Sequence, residues 1–182
     1  MKNHKIVLSV AAVLLAAIIL LWINNYRLII AINGLNSRDI LYSGIDDIGS
    51  EYRVIETASN SNNVALAYLS KNKLGIWSLS SSAFYDKSTG QLACIGWMKQ
   101  AGIKRFSSAD DPILEIEWHR IYYGENAIKT ISFLPGQIPD NIAVNVQQAG
   151  NRYSIHLISY ESPDKLNSID MKEILKKAGC IS

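Results

Sequence analysis

From Ile6 to Ile23 the chain carries Ile, Val, Leu and Ala, closed by Trp22, and its only polar side chain is Ser9. A helix built from that run has no polar face to turn toward water. With a rise of 1.5 Å per residue it reaches about 27 Å, close to the hydrocarbon thickness of a bilayer. The pattern therefore predicts a transmembrane helix over residues 6–23, with membrane lipid as its partner. Apolar density continues through Leu28, Ile29, Ile30, Ala31 and Ile32 to Gly34. That piece can prolong the helix, lie on the membrane surface or dock on the domain beyond it. Ser37 as a cap and Gly44 as a stop predict a short helix through Leu41 and Tyr42. Residues 24–51 thus read as a membrane-proximal helical connector, ending in the acidic loop of Asp46, Asp47 and Gly49.

From Tyr52 onward the period drops to two. Tyr52–Thr57, Val64–Ser70, Leu74–Ser80 and Gln91–Lys99 are rich in β-branched and aromatic residues and are bounded by polar turns. A second series comes after them: Ile113–Tyr123, Ile128–Phe133, Ile142–Gln148 and Arg152–Tyr160. Turn formers separate the strands, among them Asn72, Gly124, Pro135, Pro139 and Gly150. About eight short strands without intervening helices predict a mainly antiparallel β domain over residues 52–182, sandwich- or barrel-like, rather than a βαβ fold. A short C-terminal helix closes it over Asp170–Ala178: Asp170 and Glu173 fit a capping box, Ile174 and Leu175 face the core, and Gly179 ends the helix.

The long apolar run ends in bulky Leu21, Trp22 and Ile23, so a signal peptidase finds no small pair and the helix reads as an uncleaved signal anchor. Trp22 and Tyr26 fall where an interfacial aromatic belt belongs. Lys2 and Lys5 lie just before the run in residues 1–5, while Arg27 and Arg38 come after it. The compact basic tail favours a cytoplasmic N-terminus, with the β domain outside a cell membrane. Lys and Arg number 18 and Asp and Glu 16, a net charge of +2 that Lys2 and Lys5 supply by themselves. The β domain is then neutral, which argues against nucleic acid as a partner.

Two cysteines, Cys94 and Cys180, admit two readings: a disulfide tying the C-terminal helix to a sheet, or separate buried thiols. Alternation along Ile113–Tyr123 puts Glu115, Glu117 and His119 on one strand face. Carboxylate and imidazole at that spacing are ordinary ligands for a divalent metal such as zinc, with His156, Asp110 or Asp111 available to complete the set. The plain alternative is the polar face of a half-buried strand. No Gly-x-Ser-x-Gly elbow, Cys-x-x-Cys pair or phosphate loop is present, so no cofactor is expected beyond that metal. Trp77, Trp97, Trp118, Tyr122, Tyr123, Tyr153 and Tyr160 either crowd a binding face or fill the core. Together these features point to a membrane-anchored, non-enzymatic binding module that meets an envelope protein or glycan. The alternatives are a metal-dependent envelope hydrolase and a structural subunit whose helix pairs through Ser9, Ala12 and Ala16.

Overall fold

The computed structural model describes the backbone of residues 2–23, 25–45, 50–58, 63–86, 91–108, 111–126 and 130–182. Two helices come first, α1 over Lys2–Ile23 and α2 over Tyr26–Ile32. Eight strands come next: β1 (Asn36–Ile45), β2 (Glu51–Ala58), β3 (Asn63–Lys71), β4 (Trp77–Asp86), β5 (Ala93–Ser108), β6 (Asp111–Gly124), β7 (Ile142–Ala149) and β8 (Arg152–Ser159). Helices α3 (Pro163–Asn167) and α4 (Met171–Lys177) end the chain. The strands form two antiparallel four-stranded sheets, ordered β1-β2-β3-β4 and β5-β6-β8-β7.

Strict alternation explains the layering. On β3, Val64, Leu66 and Tyr68 point to a core shared with Ile95, Trp97, Ile121 and Tyr123 of the second sheet. Ala65, Ala67 and Leu69 point the other way, onto Ile30 and Leu35. The two small alanines leave room for α2 to lie close to the strand. On β8, Tyr153, Ile155 and Leu157 meet Leu166, Met171 and Leu175 of the C-terminal helices. β3 and β8 are therefore covered on both sides, and β3 shows it in a nearly unbroken apolar composition.

The C-terminal helix forms as its cap predicts, with Asp170 Oδ1 accepting from Glu173 N at 3.0 Å. The apolar piece after the anchor docks: Ile30 is fully buried against the first sheet. Residues 37–42, expected as a helix, instead form β1 against β2. Register shifts between Ser37 and Ile40 and again between Ile40 and Tyr42 break the alternation, which is why the stretch does not read as a strand. In the expected strand Ile128–Phe133, residues 130–133 form no ladder; Ile131 and Phe133 pack on the core beside the C-terminal helices, and residues 128 and 129 lie outside the described residues. The acidic loop at 46–49 also lies outside them.

Gly124 sits opposite Tyr153 across the β6–β8 ladder, and a Cβ there would run into the Tyr153 ring and hydroxyl. Tyr153 is itself 1 % exposed, so the added methyl displaces a packed ring. Gly124→Ala should therefore destabilise the fold by about 2 to 3 kcal/mol, the upper part of the overpacking range, as read by chemical denaturation.

Helix α1 stands apart from all of this. Every residue from Ile6 to Leu21 is exposed, with Leu8 at 76 % and Leu21 at 73 %. Among the described residues no single helix is long and apolar enough to cross a membrane. Ile6–Leu21 and Tyr26–Ile32 meet that requirement together, as a pair bent by 83°.

Candidate functional site

Two polar clusters interrupt the apolar interior. The first contains the sequence-predicted residues Glu117 and His119, which face the other sheet from β6. Antiparallel pairing sets Lys99 of β5 opposite Glu117, and the β6–β8 pairing brings His156 within reach of His119. The contacts run in a line. Lys99 Nζ lies 3.4 Å from Glu117 Oε2, that oxygen lies 3.0 Å from His119 Nε2, and His119 Nδ1 lies 2.9 Å from His156 Nε2.

Both imidazoles are almost fully buried. Burial, and next the charge of Lys99, lower the pKa of His119 to about 4; burial, and next His119, lower that of His156 to about 3. Both are neutral at physiological pH, which fixes the proton positions in turn. The Glu117 carboxylate accepts from His119 Nε2, His119 Nδ1 then accepts from His156 Nε2, and His156 Nδ1 is left as a buried acceptor without a partner. Aromatic rings enclose the line. Trp97 stacks on His119 at 4.9 Å and on Tyr68 at 4.6 Å, and the edge of Tyr42 meets His156 at 4.1 Å.

Glu117 has a lysine ammonium for its cation, and both His119 nitrogens are engaged by protein groups. Among the described residues no three His, Cys, Asp or Glu side chains converge around a point that could hold an ion. The side chains of Glu115 and Asp111, and all of Asp110, lie outside the described residues. Cys94 and Cys180 are free thiols, where a bridge was one of the two expectations. Burial raises the pKa of each, so neither is poised as a thiolate nucleophile.

The second cluster went unanticipated. Glu56 on β2 is fully buried and is met by Arg38 at 3.4 Å and by Arg152 Nη1, while Arg152 Nη2 reaches Asp39 at 2.7 Å. The bulged strand β1 thereby ties to the start of β8. Beside this network lies a cavity of about 410 Å³, lined by Ile40, Leu41, Tyr123, Ala149 and Tyr153 together with Asp39 and Arg152. The Tyr123 hydroxyl stays protonated, its pKa raised by burial first and by the Glu56 charge second. Apolar walls with a few fixed polar groups suit a small ligand or an inserted side chain. Glu56 stands between Ile55 and Thr57 in a strand that also carries Glu51 and Arg53, so the local sequence gives no signal that it is the buried one.

Of the conspicuous aromatics, Trp77, Trp97, Tyr123 and Tyr153 are buried in the core, Trp118 and Tyr122 pack on it, and Tyr160 is 42 % exposed. The chain matches no family model, no curated protein and no solved structure.

Proposed function

We propose that this chain is a single-pass membrane protein that holds a non-enzymatic β-sheet binding module at the outer surface of a cell membrane. The observation that carries the reading is α1: every residue from Ile6 to Leu21 is exposed, and all but Ser9 are apolar. So much apolar surface is not left in water, and lipid tails cover it without any polar demand on the helix. Trp22 and Ile23 add the remaining length in sequence. Lys2 and Lys5 set the N-terminal side toward the cytoplasm.

The cavity beside Arg152 supports binding as the work of the outer part, since its apolar walls and its Asp39–Arg152 rim offer contact and orientation. Its occupant is a side chain or short segment of an envelope partner. Cell fractionation tests the reading. Alkaline carbonate should leave the full chain in the membrane pellet, detergent should release it, and protease added outside intact cells should digest the β body. Release by carbonate alone would overturn the anchoring, and protection from external protease would overturn the sidedness.

A further inference from the structure

The β3–β4 hairpin turn is an ordered device rather than a slack loop. Asn72 Oδ1 accepts from Leu74 N at 2.9 Å and from Ile76 N at 3.0 Å, and the backbone pairs Asn72 N with Ile76 O at 2.9 Å. Gly75 takes a φ of +77°, which the tight turn needs. These bonds hold Leu74 at the apex, where it is 84 % exposed, more than any described large apolar side chain of α1. Lys71 and Lys73 both precede it in the turn. A leucine fixed in water at the apex of a scaffolded turn, just after two lysines, matches an apolar partner with anionic groups above it.

Its position names that partner. The Tyr26 ring, three residues beyond the end of α1, packs edge-on against Trp77 at 6.0 Å, and Trp77 closes the turn opposite Lys71. Leu74 is three residues from Trp77, and Tyr26 three from Ile23, so each chain path is at most about 10 Å. Arg53 lies over Tyr26 at 4.5 Å and over Trp77 at 5.0 Å, and Lys71 lies over Trp77 at 5.5 Å. Arg53 and Lys71 share the single carboxylate of Glu51, so with Arg27 and Lys73 the described residues at this end carry more positive than negative charge. Asp46 and Asp47, in the neighbouring connection, lie outside the described residues.

We propose that the Asn72–Ile76 turn is a second membrane contact: Leu74 enters the interface of the bilayer that α1 crosses, and Lys71, Lys73, Arg27 and Arg53 meet its phosphate headgroups. The inference rests on the membrane reading of α1. Tyr26 and Trp77 then lie at headgroup depth, where amphipathic aromatic rings are favoured. Two contacts, α1 and the turn, fix the orientation of the β body over the membrane, which a single flexible tether does not.

The test uses the full chain in vesicles of equal phosphatidylcholine and phosphatidylglycerol, with a nitroxide-bearing amino acid at Leu14, Leu74 or Phe84. Phe84 is 64 % exposed near the far end of β4, roughly 23 Å from Trp77 along the strand. The label at Leu14 should be accessible to oxygen and shielded from a water-soluble nickel chelate. The label at Leu74 should be several-fold less accessible to the chelate than the label at Phe84. Equal chelate access at Leu74 and Phe84, with Leu14 shielded, would overturn the turn contact and leave the anchor standing. Chelate access at Leu14 would overturn the anchor and this inference with it.

Discussion

Acidification below pH about 6.5 should destabilise the β body steeply, well before its carboxylates titrate. His119 and His156 are its only histidines, the third being His4 at the N-terminus. In the folded state burial holds them near pKa 4 and 3; in the unfolded chain both return to the ordinary 6.5. The unfolded state therefore binds more protons at any pH between those limits, and stability falls as the pH falls. Well above 6.5 neither state is protonated and the contribution is complete. Below the folded values both states are protonated and the loss stops growing. Each histidine contributes a slope of up to about 1.4 kcal/mol per pH unit, so the pair gives about 3 at its steepest. Two pH units at that slope rival the whole stability of many small domains. Denaturant midpoints measured from pH 7 downward should trace this course, and His156→Gln should flatten the slope by about half. A midpoint constant between pH 7 and 5 would show that the pair is not held neutral.

Glu56→Ala should cost about 2 to 3 kcal/mol and open the β1 edge. A fully buried carboxylate between two guanidinium groups is a case where removing one partner strands the others. The full penalty for a buried pair, about 3 to 5 kcal/mol, is reduced here because Arg38 and Arg152 are 45 % and 30 % exposed in their side chains and can turn to water. Arg152 also keeps Asp39. Hydrogen exchange should localise the effect, with faster exchange over Ser37–Leu41 than over β3. Equal destabilisation from Arg38→Ala would point instead to the outer arginine as the main support.

The reach of the sequence differed from element to element, for physical reasons. β3 and β8 were legible because each side of each strand is buried, so their composition leaves no other assignment. α4 was legible through Asp170, whose cap is local. β1 was not, since its two bulges erase the period of two and only pairing with β2 makes it a strand. Ile131 and Phe133 read as strand positions because a sheet-covering segment and a strand both demand apolar residues. Glu117 and His119 are legible, with Glu115, as one polar strand face that His156 could join, but Lys99 comes from the neighbouring strand, so the hydrogen-bonded line depends on a register that sequence does not encode locally. Glu56 with Arg152 is the extreme case, a contact across most of the β body.

The proposed anchoring depends above all on lipid covering α1. In the proposed span, replacing Leu14 and Leu15 by lysine places two charges at mid-membrane depth, at about 2.5 to 3.5 kcal/mol each. The predicted result is that the alkali-resistant membrane fraction, which holds the unsubstituted chain, loses the variant, while its β-sheet circular dichroism and acid transition stay unchanged. A doubly charged variant that remains as firmly embedded as the unsubstituted chain, or an unsubstituted chain that is monomeric in water without detergent, would contradict it.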